Sequence, residues 1–351
     1  MRIFRRRKNE PVGGRFIVGR TWKDAALDAA VEAVEEGYLN AGIVLLGETR
    51  RDPDLRSLRL DALSHAAVGS SQAIAQLIDQ HRGAEERADI LLWLGRTIID
   101  EAWAIRGGSF AESVGEDRFK VFFATLSGAH EPLMEAARLC PGDPVPWESM
   151  IWFAVGMQFD SASGDLIWDE VLSRSATLFS GHWARLQAVA AKWGGSHERM
   201  FAHAREAVSL APEGHPLTAM LALAHLDYLL AEERRLVEEN RMMAYMRFSM
   251  TYFSDEVVAE LREAERRWTA HARPHPRDLD AHHLFGALFV RDGGTHDLAA
   301  RHLLQVGNRV GRAAPWGYLG DPAEEFAAAL RKLKIPLPSG DAEEFEDIES
   351  M

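Results

Sequence analysis

The chain has 351 residues, a formal net charge of −13 and a single cysteine. With 47% hydrophobic residues, 26% charged residues and ten tryptophans, its composition is that of an ordered globular protein. The lone Cys140 excludes an internal disulfide framework and a zinc site built on cysteine pairs. The acidic balance argues against general nucleic-acid binding, because that activity needs a basic face.

The charge is unevenly distributed along the chain. Residues 1–20 carry a net charge of +6 and predict a basic arm, whereas residues 338–351 carry −6 and predict an acidic tail. The first residues lack the apolar run of a signal peptide. The most apolar stretch, Met150 to Phe159, has about ten residues, whereas a membrane span needs about 20. We therefore expect a cytoplasmic protein without stable membrane insertion.

Helical spacing dominates the chain. Strand-like sequence occurs only briefly, near Arg15 to Val18. Thr21 and Asp24 are typical of a helix start, and Gly37 ends that helix. Further helical patterns follow short turn signals and begin near Pro53, Ser71, Ala84, Glu116, Pro146, Asp165, His182, Ser196, Pro216, Asp255, Asp280, Thr295 and Pro322.

A turn with two glycines and a hydroxyl residue occurs three times. It reads RGGS at 106–109, WGGS at 193–196 and DGGT at 292–295. Glycines allow the chain to reverse, and a serine or threonine can accept a hydrogen bond from the first amides of the next helix. We therefore predict a helix–turn–helix connection at each of the three.

Three segments repeat one pattern of small or apolar residues closed by a proline. Such residues let a neighbouring helix approach closely, and the proline ends the helix. The aligned sets are Ala129, Leu133, Ala136 and Pro141; Met200, Ala204, Ala207 and Pro212; and Ala264, Trp268, His271 and Pro276.

These offsets resemble the tetratricopeptide repeat. The segments AWAIRGG, ARLCPGDPVPW and KWGGSHERMFAHAREA are also similar to a bacterial family of uncharacterised tetratricopeptide-like proteins. The resemblance implies an all-α chain of antiparallel helix pairs stacked as an α-solenoid. Degenerate repeats would cover residues 21–127 and clearer ones residues 128–337, between the basic arm and the acidic tail.

The same resemblance predicts a curved inner face that binds a protein or peptide. A basic patch with an aromatic neighbour in an acidic protein would suit a partner that carries carboxylate groups. The alternative is that these residues are ordinary solvated helix positions. The repeat register places on this face His182, Arg185, Val189, Lys192, Trp193, Asp227, His283 and Arg291.

The chain lacks every strong catalytic motif that we sought, including phosphate loops, dinucleotide turns, nucleophile elbows and zinc-protease helices. We therefore expect no cofactor and favour a binding function over an enzyme. The main alternative is a metal- or haem-dependent enzyme that uses the histidine-rich region 271–302, with Asp280 and His283 as ligands three residues apart on a helix. A smaller possibility is an immunity-type partner protein.

The acidic tail combines six carboxylates with Phe345 and Ile348. It could dock as a tethered ligand near Arg185, Lys192, His283 and Arg291, or it could remain a solvated segment that aids solubility.

Overall fold

The computed structural model describes residues 16–80, 83–107 and 116–338, and this part of the chain is almost entirely helical. Within it, the only strands are β1 (Ile17–Val18) and β2 (Arg309–Val310), which pair in parallel. The predicted all-α class is therefore confirmed. Most of the predicted basic arm and nearly all of the acidic tail lie outside the described residues. No described helix is both long and apolar enough to cross a membrane.

The chain divides into two compact units. The large unit comprises residues 23–224 and 259–277, and the small unit takes the described residues of 1–22, 225–258 and 278–351. The helices of the large unit are α1 (Ala25–Glu35), α2 (Asn40–Gly47), α3 (Pro53–Ala66), α4 (Ser71–Leu77), α5 (Ala84–Arg106), α6 (Glu116–Ser127), α7 (His130–Leu139), α8 (Val145–Gly156), α9 (Ser161–Arg174), α10 (Phe179–Ala188) and α11 (His197–Leu210). Those of the small unit are α13 (Met242–Thr251), α15 (Asp278–Phe289), α16 (His296–Val306) and α17 (Pro322–Lys332), while α12 (Met220–Glu238) and α14 (Asp255–Thr269) contribute residues to both units.

Several helix ends follow the sequence signals. The Asp24 carboxylate accepts a hydrogen bond from the Leu27 amide at the start of α1, and Ser196 caps α11 through the amide of Arg199. At the DGGT turn the prediction of a hydroxyl cap is wrong, because the Thr295 hydroxyl donates to the carbonyl of Phe289 instead. The RGGS turn lies mostly outside the described residues.

Helix α5 is the centre of the large unit. It contacts α2, α3, α4, α6, α7 and α8. At Gly95 the absent side chain permits a close crossing, since a Cβ there would lie 2.6 Å from the Leu133 Cγ of α7. The boundary predicted between residues 127 and 128 therefore falls inside this unit, where α6 and α7 both pack on α5.

The repeated small and apolar positions are core positions. In each of the first two aligned sets, the three residues that precede the proline are buried. In the third set, Ala264 and Trp268 are buried. His271 is exposed, with its side chain 66% accessible, so the third set departs from the pattern at that position.

Ala207 provides a direct test of this packing. It is fully buried in α11, so Ala207→Phe should force neighbouring side chains apart and lower the free energy of unfolding by about 1–3 kcal/mol. Ala202 lies on the same helix but is exposed, and Ala202→Phe is the matched control. Urea denaturation of both variants checks the expectation, and equal midpoints for the two would contradict it.

In the small unit, the end of the predicted basic arm is part of the core. Phe16 is buried and packs edge-on against Phe326 of α17, with ring centroids 5.3 Å apart. The neighbouring strand β1 pairs with β2. Residues 16–18 of the predicted arm are therefore packed and paired within the small unit.

Candidate functional site

The predicted inner-face residues of the large unit are mostly enclosed or paired. His182 and Val189 are buried. The His182 Nε2 atom lies 2.9 Å from the carbonyl oxygen of Ala176, and Arg185 forms an ion pair with Asp165. Neither His182 nor Val189 can present its side chain to a partner, so their assignment to an open face is wrong.

His182 belongs instead to a buried aromatic cluster. Its ring stacks on that of His203 at 5.2 Å, and both rings meet Trp168 edge-on. Burial lowers the pKa of His182 to about 4. Burial, together with the charge that His182 would carry, lowers the pKa of His203 to about 3. Both imidazoles are consequently neutral at pH 7.

The predicted inner-face residues of the small unit are also buried or paired within the fold. Asp227 and His283 are buried. The Nε2 atom of His283 lies 3.0 Å from the Arg309 carbonyl, and its Nδ1 accepts a hydrogen bond from the Trp316 indole. With both ring nitrogens engaged, His283 has no lone pair left for a metal, which corrects the predicted Asp280–His283 pair. Arg291 forms an ion pair with Glu233.

These contacts also weaken the predicted docking site of the acidic tail. Two of its cations, Arg185 and Arg291, are neutralised by carboxylates of their own units, and His283 is enclosed. The tail itself lies outside the described residues.

Of the predicted inner-face residues, Lys192 is exposed and Trp193 is half-buried. The Trp193 ring meets that of Trp103 edge-on at 5.4 Å, and the Arg106 guanidinium lies 5.2 Å from the centroid of each ring. We call Trp103, Arg106 and Trp193 the tryptophan–arginine platform.

Helix α13 of the small unit has no buried residue. Met242, Met243, Met246 and Met250 are between 51% and 82% exposed. Consecutive helix residues turn by about 100°, which places all four on one arc about 100° wide. We call these four residues the methionine stripe. The opposite face is aromatic, with Phe248 and Tyr252 packed around Tyr228 of α12.

A histidine–carboxylate cluster lies in the large unit. Asp54, His215 and His275 each offer one ligand atom within 4.8 Å of the others. The Nε2 atom of His275 lies 3.4 Å from Asp54 Oδ2, while Asp54 Oδ1 accepts a hydrogen bond from the Phe179 amide. Burial and the neighbouring His275 lower the pKa of His215 to about 4. For Asp54, burial raises the pKa, but the contact with His275, the hydrogen bond from the Phe179 amide and the nearby His215 together outweigh burial and lower it.

Two His-Pro dipeptides fix which ring nitrogen of His215 and His275 carries the proton. The Leu217 amide donates to His215 Nδ1, and the Arg277 amide donates to His275 Nδ1, each at 3.1 Å. A ring that accepts through Nδ1 carries its proton on Nε2, whereas a metal-bound histidine normally donates through its other nitrogen. The cluster therefore fits a carboxylate among imidazole N–H groups better than a metal centre. It connects α3, the start of α10 and two loops of the large unit.

A second buried charge network surrounds Arg96 on α5. Its guanidinium lies 3.0 Å from Asp61, 3.5 Å from Asp100 and 3.3 Å from Glu148. Arg277 also pairs with Asp61. Burial raises the pKa of Glu148, and burial with the nearby carboxylates raises the pKa of Asp100 to about 7 despite Arg96. Two guanidinium groups face three carboxylates, so partial protonation of Asp100 brings the network closer to neutrality.

The chain was compared with protein-family models, curated proteins and solved structures, and none matches. The site residues must therefore be interpreted from their own geometry.

Sequence signals were present for the features that the repeat register missed. Met242, Met246 and Met250 are spaced by four residues, and Trp103 and Arg106 by three, so each set shares a helix face. The His-Pro dipeptides at residues 215 and 275 were a third signal. Their convergence on Asp54 depends on tertiary packing, which local spacing does not reveal.

Proposed function

We propose that the protein is a helical scaffold that binds another protein through the methionine stripe. The observation that carries the proposal is the exposure of four methionines on one arc of α13. An apolar patch on one face is typical of an interaction surface, whereas scattered single apolar residues are not. Methionine is unbranched and flexible, so such a surface can adapt to its partner.

The chemistry of the stripe indicates an amphipathic helix as the partner element. Arg247 is exposed and lies beside Met243 around the helix axis. A helix that places apolar residues on the stripe and an acidic residue opposite Arg247 would satisfy both surfaces. We infer the same kind of partner, one that bears carboxylate groups, but on α13 rather than on the predicted inner face.

We also retain the tetratricopeptide-like stack as part of the proposal. It is supported by the buried repeat positions and by contacts between successive helices, α7 with α8, α8 with α9 and α10 with α11. The single cysteine and the acidic charge fit a cytoplasmic scaffold that does not bind nucleic acid. The fixed tautomers at His215 and His275 give the metal-dependent enzyme less support than the scaffold.

Replacing all four stripe methionines with glutamine tests the proposal. Glutamine keeps the side-chain length and the helix propensity but removes the apolar surface. A control variant carries Val44→Gln and Leu166→Gln, two separate exposed apolar positions of the large unit. Affinity capture from native cells should yield a partner with the wild type and the control but not with the stripe variant.

A second measurement locates the contact. In protein labelled at the methionine methyl groups, the purified partner should shift the stripe signals and leave buried Met150 and Met200 unaffected. Identical capture by wild type and stripe variant would refute the proposal. Self-association of the wild type that the stripe variant loses, measured by light scattering, would instead assign the stripe to a second copy of the chain.

A further inference from the structure

The tryptophan–arginine platform of the large unit contains one arginine, Arg106, in contact with two indole rings. Among the described residues, Arg106 forms no ion pair and donates no hydrogen bond, whereas Arg50, Arg56 and Arg96 are each paired with buried or half-buried carboxylates. Partial burial lowers the pKa of Arg106. The described part of the chain therefore holds a half-buried guanidinium without an ion-pair partner.

The guanidinium of Arg106 lies over the faces of both indole rings. The guanidinium carbon lies 5.2 Å from both ring centroids, and the rings stand at 80° to each other. A planar guanidinium can lie parallel to only one of two such rings, and its five N–H donors lie in its own plane, so those that do not face the second ring stay open to a ligand. This fork matches the two oxygens of a carboxylate.

The surroundings select among anions. One guanidinium balances one negative charge, and a protein with a net charge of −13 repels a phosphate dianion more strongly than a monoanion. The indoles on either side offer apolar surface to whatever is attached to the bound group. A carboxylate joined to an apolar side chain satisfies both features.

We propose that the platform binds the C-terminal carboxylate of a peptide whose last residue is apolar. Arg106 receives the carboxylate through its N–H fork, and Trp103 and Trp193 contact the terminal side chain. This site lies in the large unit and does not depend on the methionine stripe, so either proposal can fail without the other.

The test uses the full chain labelled with ¹⁵N at its ten tryptophans. An acetylated tripeptide that ends in leucine with a free carboxylate is titrated, followed by the same peptide with an amidated end, an amidated peptide with one glutamate, and inorganic phosphate. Trp103→Phe and Trp193→Phe assign the two indole signals. We expect saturable shifts of these two signals with the free carboxylate and no saturation with the amidated leucine peptide.

Arg106→Gln should weaken this binding at least about tenfold, because a hydrogen bond to a charged group contributes about 1.5–3 kcal/mol and 1.4 kcal/mol is tenfold. Arg106→Lys keeps the charge without the fork and should bind between the two. Arg138→Gln, at an exposed ion pair with Glu135, is the control and should bind as the wild type does. Equal shifts from the free and amidated leucine peptides, unchanged binding by Arg106→Gln, or stronger binding of the glutamate peptide or of phosphate would overturn the assignment.

Discussion

Arg96→Met is expected to lower the free energy of unfolding by about 3–5 kcal/mol, the usual cost of leaving buried charges without their partner. The methionine fills a similar volume but cannot compensate Asp61, Asp100 and Glu148, which lie within 3.5 Å of the native guanidinium. Removal of a surface arginine should cost far less. Arg138→Met, which breaks an exposed pair with Glu135, is therefore the control, and its urea midpoint should stay close to that of the wild type.

The effect of Arg96→Met should also depend on pH in a specific direction. Without the guanidinium, the pKa values of Asp100 and Glu148 in the folded protein should rise further, because burial and the repulsion between carboxylates remain while their nearest cation is lost. When the pKa of a carboxyl group is higher in the folded state than in the unfolded state, the free energy of unfolding falls as pH increases. The difference between wild type and variant should thus be larger at pH 8 than at pH 5.5. Urea denaturation at both values checks this, and a difference that does not change with pH would contradict the buried charge network.

Acid should destabilise the large unit through His182 and His203. Their pKa values in the folded protein are about 4 and about 3, whereas the unfolded chain titrates near the ordinary value of about 6.5. As pH falls below about 6.5, these histidines bind protons in the unfolded state but not in the folded state. The free energy of unfolding therefore falls between about pH 6.5 and the folded pKa values. At pH 5 each histidine should lower the free energy of unfolding by about 2 kcal/mol relative to its value at pH 7 or above.

His203→Gln separates this effect from other acid effects. Glutamine retains an amide donor for the His182 carbonyl, which lies 3.2 Å from His203 Nε2, but it does not titrate. Between pH 7 and pH 5, the free energy of unfolding of the variant should fall by about 2 kcal/mol less than that of the wild type. Denaturation followed by tryptophan fluorescence is suitable, because Trp168 contacts both rings. The same pH dependence in both proteins would show that His203 is not held neutral.

The helical class and much of the core could be predicted from the sequence, because both depend on local periodicity. Ala129, Ala136, Ala204 and Ala207 are spaced as helix-crossing residues and are buried. The caps at Asp24 and Ser196 could also be predicted, since a cap involves residues three positions apart.

The surface residues could not be predicted in the same way. The projected inner face assumed that His182 and His283 point outward, but both are enclosed by aromatic residues that are distant in sequence, such as Trp168 and Trp316. Ion pairs could not be predicted either, because their partners are also distant in sequence. Arg291 pairs with Glu233, 58 positions away. Exposure of a polar residue depends on which elements cover it, and local spacing carries no information about that.

The pairing of β1 with β2 has a consequence for how the protein is made. Ile17 pairs with Arg309, so strand β1 finds its partner only after residue 309 has been added. Residues 23–224, which supply most of the large unit, emerge before any of β2 does. Because translation adds residues in order, the nascent chain must carry β1 and the apolar ring of Phe16 without their native neighbours until Phe326 has been added. The small unit is consequently completed last, and a ribosome that stalls before residue 309 would release a chain that cannot form it.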